Sequence, residues 1–194
     1  MSLKNVNIVI VGVGGQGTLL TSKILAQAAI AQQAGVKVSE VHGMAQRGGS
    51  VITHVRIGDD VHAPLVSSGN ADYLLSFEPL EAARAIAYLK EDGVLIVNTR
   101  EIPPITVLSG AAVYPQSPYT AAVSALQKVE ALDAFQLASE AGSYRAVNLV
   151  LLGVLSRHLP FSPENWDAAI AASVPPKTLE VNRKAFLYGR AYTV

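Results

Sequence analysis

Gly12, Gly14 and Gly17 stand in the spacing G-x-G-x-x-G, and the residues around them decide what chemistry that spacing can support. Glycines permit positive φ and let a ligand or another chain segment approach the backbone closely. A helix starting at the last glycine would offer unpaired N–H groups and the positive end of its dipole to an anion. Here the pattern follows the strand-like run Val6-Asn7-Ile8-Val9-Ile10-Val11 and opens a helical stretch, the context in which it has meaning. Gly15, Gln16 and Thr18 complete a turn richer in glycine and more polar than packing requires. A tight turn without a ligand would satisfy the same residues, since fold alone does not fix function.

Glu40 lies 23 residues beyond Gly17, where a dinucleotide fold places an acid on the ribose. Ordinary dinucleotide folds do not, however, require the stretch that follows, Val41-His42-Gly43-Met44-Ala45-Gln46-Arg47-Gly48-Gly49-Ser50. Paired glycines beside an arginine and a serine suit a second anion-gripping or interface loop near the same crevice. Arg47 can fork onto a carboxylate or phosphate, although a lone loop arginine is more often a solvated surface residue. Glu78 ends a further strand-like run and faces the expected crevice, while an acid there also complements the dipole of the helix that follows.

Other chemistries are poorly served. His42, His54, His62 and His158 show no i, i+4 metal spacing, and only His42 lies within a motif. No serine nucleophile elbow is present. The chain has no cysteine, which excludes disulfides, a thiol nucleophile and thiolate ligation of zinc or iron–sulfur clusters. Its 15 basic residues cancel its 15 acidic ones, so no long-range field draws it to nucleic acid or acidic membranes. No apolar run reaches the ~20 residues of a spanning helix, and no leader pattern is visible, so a cytoplasmic location is expected.

The elements that must position these residues read as one α/β domain over residues 1–194. Half the residues are hydrophobic and few are aromatic, a composition common in helix-covered parallel sheets. Strands are expected at Val6–Val11, Val36–Val41, Val51–Ile57, Ala71–Phe77 and Gly93–Val97. Helices are expected from Thr18 to about Gln33, with Gly35 as stop signal, and from Leu80 to Lys90. Strand, glycine turn, helix, strand predicts that the first two strands run parallel with a right-handed crossover. Four prolines between Ile102 and Pro118 predict a loop. Helices then follow at Tyr119–Gln127, Ala134–Glu140, Tyr144–His158, Pro163–Ala172 and Pro176–Arg190. The stretch Asn148-Leu149-Val150-Leu151-Leu152 is apolar nearly all round, so it lies in the core or under a partner. The fold class is a Rossmann-like, doubly wound, mostly parallel sheet with helices on both faces and a helical C-terminal third.

At the glycine turn, the stretch Glu40 to Val51 and Phe77-Glu78-Pro79-Leu80-Glu81-Ala82, the chain resembles the gamma-type domain of the 2-oxoacid:ferredoxin oxidoreductase family. Within it, the resemblance is greatest to the small (beta) subunits of the indolepyruvate type. Asn98-Thr99, Asn148, Gly153, Asn182 and Ala185-Phe186 also fit. The resemblance implies oxidative decarboxylation of a 2-oxoacid to an acyl-CoA, with electrons passed to ferredoxin. Thiamine diphosphate with magnesium and the iron–sulfur clusters carry that chemistry. The chain has no cysteine and no Gly-Asp-Gly segment followed by paired asparagines, so both cofactors are expected on a large partner subunit.

The resemblance further implies that this domain packs beside the thiamine site and helps enclose the 2-oxoacid or coenzyme A. Candidate contacts are Gly12, Gly14, Gly15, Gln16, Gly17 and Thr18 in the turn, then Gly43, Met44, Gln46, Arg47, Gly48, Gly49 and Ser50, and Glu78. Arg47 and His42 are candidates for contributing to the partner's active site. The isolated chain is expected to be inactive. Two rivals use the same residues: a stand-alone NAD(P)-dependent oxidoreductase built on Glu40, and a nucleotide-binding scaffold module.

Overall fold

Ile8, Val9, Ile10 and Val11 are all buried in β1 (Val6–Val13), as a strand covered on both faces requires. The computed structural model describes residues 5–42, 49–103, 105–115, 117–124 and 126–193. Ile8 and Ile10 join one hydrophobic cluster, and Val9 and Val11 join another on the opposite face of the sheet. Helix α1 (Thr18–Ala31) packs Ile24, Leu25, Ala28 and Ala29 into the first cluster. It ends before Gly35. The left-handed residue behind its last turn is Gln33, with φ of 60°, and Gly35 instead lies against Gly58, whose N–H it accepts at 2.9 Å.

The sheet has the strand order β2-β3-β1-β4-β5-β6. β2 (Val36–His42) and β3 (Ser50–Ile57) are antiparallel neighbours, and β3 also pairs antiparallel with β1, from Val6 opposite Ile57 to Val13 opposite Ser50. The first two strands therefore point the same way, as expected, but β3 stands between them. The short connection from His42 back to Ser50 makes antiparallel pairing local, and β3 then fills the place beside β1. β4 (Ala71–Ser76), β5 (Leu89–Asn98) and β6 (Val129–Leu132) continue the sheet in parallel on the other side of β1. Only β3 opposes the common direction, so the sheet is mostly parallel.

The expected helix through Lys90 is shorter. α2 (Pro79–Ala85) gives way to a 3-10 turn at Ile86–Tyr88, and Leu89 and Lys90 already belong to β5. The register shift between Ala71 and Tyr73 accommodates the longer strand. The proline-rich stretch holds a single helical turn, α3 (Ile105–Leu108), and the start of α4 (Ser117–Ser124). β6, absent from the expectations, has four residues and pairs on one side only, too little for a periodicity signal. The C-terminal third is helical, with α5 (Ala134–Ala141), α6 (Val147–Ser156), α7 (Pro163–Ala171) and α8 (Leu179–Ala191).

Residues of α1, α5, α6, α7 and α8 share the first cluster, while α2 and α4 pack on the second. Every residue of α6 from Asn148 to Ser156 is buried, so its all-round apolarity reflects the core. α1 leaves β1 toward one face, and α2 leaves the adjacent β4 toward the other. That reversal opens a crevice at the carboxyl ends of β1, β4 and β5, the place where open α/β sheets bind ligands.

Candidate functional site

The turn between β1 and α1 forms one wall of this crevice. Gly17 caps α1 with φ of 93°, a left-handed conformation that favours glycine, and no side chain among the described residues caps the helix. The first N–H groups of α1 thus lack side-chain partners among those residues, and its first turn carries no acid. Gly15 also has positive φ, 100°, and faces open space. Gly12 answers to packing instead, because a Cβ there would stand 2.6 Å from Gln16 Oε1 and 3.0 Å from Phe77 Cβ. Behind Gly17 lies Asn148 of α6, with its Nδ2 buried and without a hydrogen-bond partner among the described residues. Thr18 is buried.

Several polar side chains near the crevice are committed to the protein itself. Gln16 Oε1 accepts the Val13 N–H at 2.6 Å, which locks the turn. Asn98 Nδ2 donates to the Phe77 carbonyl, and its Oδ1 accepts the Ala134 N–H at 3.1 Å. Glu78 is 1% exposed and caps α2, with Oε2 accepting the N–H groups of Leu80 at 2.7 Å and Glu81 at 3.1 Å. Its Oε1 accepts the Ile102 N–H at 3.3 Å and the Tyr114 hydroxyl. One carboxylate therefore clasps both ends of the segment between those residues. Burial, and then the hydrogen bond and charge of Glu78, hold the Tyr114 phenol well above its ordinary pKa.

The residues that lead into β3 meet the turn. Gly14 N–H donates to the Gly49 carbonyl at 2.8 Å, and Ser50 Oγ donates to Glu81, which also pairs with Arg84. Gly49 and Ser50 thus join Gly12, Gly14, Gly15, Gln16, Gly17 and Thr18 at one end of the sheet, with Glu78 beneath. The expectations for the His42 side chain and for Gly43, Met44, Gln46, Arg47 and Gly48 lie outside the described residues. Glu40 sits on β2 beyond β3, 3.5 Å from Ser22 Oγ, and lines a hollow of about 460 Å³ with Gly14, Gly15, Gly17 and Thr18.

On the other side of Gly15 the crevice opens to about 700 Å³, lined by Gln16, Asn98, Arg100, Phe135, Tyr144 and Arg145 among others. The sequence reading missed Arg100, Phe135, Tyr144 and Arg145. A signal existed in Arg100, which closely follows a strand's carboxyl end, the position where crevice residues occur. Nothing local marks the other three. Among the described residues, no group of three or more His, Cys, Asp or Glu side chains can hold a metal ion. With no cysteine anywhere in the chain, it offers no thiolate to an iron–sulfur cluster. No helix among the described residues is long and apolar enough to cross a membrane.

The family described as pyruvate ferredoxin/flavodoxin oxidoreductase matches residues 7–192. The chain belongs to that family. It is 47% identical to indolepyruvate oxidoreductase subunit IorB of Thermococcus kodakarensis, over 96% of this chain and 95% of the relative. IorB of Archaeoglobus fulgidus is 43% identical over 94% of this chain and 92% of its own length. Among solved structures, the keto/oxoacid ferredoxin oxidoreductase gamma subunit of Geobacter sulfurreducens superposes with a TM-score of 0.71. It is 28% identical and is covered over 95% of both chains. These likenesses span the helical third as well as the turn, so the family membership holds for the domain as a whole.

Proposed function

We propose that this chain is the small subunit of an indolepyruvate-type 2-oxoacid:ferredoxin oxidoreductase in the cytoplasm. In this reading a larger subunit carries thiamine diphosphate, magnesium and the iron–sulfur clusters, and passes electrons to ferredoxin. The small subunit packs beside the thiamine site and closes the cavity for the 2-oxoacid or coenzyme A. The crevice supplies the closing surface, with the glycine turn presenting backbone N–H groups and the loop from His42 to Ser50 presenting Arg47. Neither nucleic acid nor membrane takes part. The observation that carries the reading is likeness to relatives named as IorB along nearly the entire length of both chains.

The test is co-expression with the large subunit and assay of indolepyruvate, phenylpyruvate, pyruvate and 2-oxoglutarate with coenzyme A and a viologen acceptor. The complex is expected to turn over aryl pyruvates, and the isolated chain to be colourless and inactive. Robust turnover by the purified small chain alone would refute the subunit reading. Calorimetric titration of NAD(H) and NADP(H) addresses the stand-alone alternative. A Kd near 1 μM, about −8 kcal/mol and lost on Glu40→Ala, would favour that alternative instead.

A further inference from the structure

Seven arginines lie in the described residues, and five of them donate hydrogen bonds from their guanidinium groups. Arg56 donates to Asn7 and Ala63, Arg84 to Glu81, Arg157 to Glu130, Arg183 to Asp167 and Glu180, and Arg190 to Ser156. The guanidinium groups of Arg100 and Arg145 donate to no partner and join no ion pair among the described residues. Both line the crevice of about 700 Å³. Each lies over an aromatic ring instead: Arg100 Cζ is 3.6 Å from the Phe135 centroid, and Arg145 Cζ is 5.9 Å from that of Tyr144. Stacking occupies a guanidinium's face and leaves its in-plane N–H edge free, the edge that grips anions. Among the described residues Glu101 is the one acid lining the crevice, so the two arginines leave that lining net positive.

We infer that this crevice is an anion subsite that takes a phosphate ester carried on a flat ring. Arg100 and Arg145 grip the phosphate, and the exposed Tyr144 offers the ring a stacking surface. Two uncommitted forks suit a doubly charged phosphate better than a singly charged carboxylate, which one fork satisfies. The two rings lie 5.6 Å apart, and Tyr144 is 54% exposed, so a ring face is open to a ligand. The inference rests on the subunit reading and deepens it by naming the residues and ligand chemistry of this crevice, and its test needs no partner chain.

The experiment is calorimetric titration of the full chain with AMP, adenosine and phenylpyruvate at low salt. AMP is expected to bind and adenosine to bind more weakly. Arg100→Ala and Arg145→Ala should each weaken AMP by about tenfold, the size of one charge-assisted contact, with adenosine unchanged. Arg183→Ala, on a distant ion pair, should leave AMP binding at the wild-type level. Arg100→Gln and Arg145→Gln repeat the test, with urea midpoints showing that all variants fold alike. Equal AMP affinity in wild type and both crevice variants would overturn the inference, as would no AMP binding at all. Arginine-dependent binding of phenylpyruvate in preference to AMP would overturn the phosphate assignment. None of these outcomes bears on whether the complex with the large subunit assembles and turns over.

Discussion

Gly153 on α6 and Gly189 on α8 each face the other helix's backbone. A Cβ on Gly153 would lie well inside 3.0 Å of the Phe186 carbonyl oxygen, and one on Gly189 as close to that of Val150. The two helices cross at a distance that only hydrogen side chains allow. Because α6 is buried from Asn148 to Ser156 and its Asn148 packs against Gly17, this crossing also fixes the back of the glycine turn.

Gly153→Ala should therefore destabilise the fold although alanine is the better helix former. The propensity gain is about 1 kcal/mol, whereas forcing packed helices apart costs about 1–3 kcal/mol or more. A lowered urea midpoint at unchanged slope is the expected reading. A raised midpoint would show that α8 can move aside freely.

Glu78→Ala should remove the α2 cap, at about 0.5–2 kcal/mol, and also release Ile102 N–H and the Tyr114 hydroxyl. The Tyr114 phenol stands above its usual pKa because of burial first and Glu78 second. Removing the carboxylate takes away the second cause, so Tyr114 should ionise at lower pH in the variant. Ultraviolet titration of tyrosinate, with Tyr114→Phe identifying the signal, checks this. An unmoved titration would mean that the clasp does not form in solution.

His54 is buried on β3, accepts the Val66 N–H at Nδ1 over 3.3 Å, and meets Tyr88 edge-on at 5.4 Å. Burial lowers its pKa below the ordinary 6.5. Below about pH 6.5 the unfolded chain takes up a proton that the folded chain resists, so stability falls with pH until the folded pKa is passed. The slope is at most about 1.4 kcal/mol per pH unit. In His54→Asn, whose amide oxygen can accept the same N–H, this component should vanish. Urea curves at pH 7.5 and 5.5 should show a wild-type-minus-variant stability difference that shrinks on acidification, and a constant difference would count against the buried neutral ring.

Arg47→Ala, in the complex, should leave assembly intact and lower kcat/KM for the oxoacid or coenzyme A by about ten- to a hundredfold. That is the roughly 1.5–3 kcal/mol of a charge-assisted contact in a shielded site. Arg47→Lys should restore little if the grip is bidentate. Gel filtration and steady-state kinetics decide between outcomes. Wild-type efficiency would make the residue a bystander, and failure to assemble would make the loop an interface element.

The sequence by itself determined the strand–glycine turn–helix unit, the α/β class and the family. Those rest on signals confined to neighbouring residues: the doubly apolar parity of Ile8 to Val11, the glycine spacing, and the order of motifs from Gly12 to Glu78. The tertiary structure alone decided that β3 stands between β1 and β2, because strand pairing joins residues as distant as Val6 and Ile57. It also decided which polar groups remain free. Gln16 and Glu78 are candidate ligand contacts in sequence, but their hydrogen bonds are taken by Val13, Leu80 and Tyr114. Arg100 and Arg145 carry no motif, and folding brings them to one crevice with their guanidinium donors unspent among the described residues. A side chain's type is local information, but whether its donors are already satisfied depends on distant partners that only the folded chain supplies.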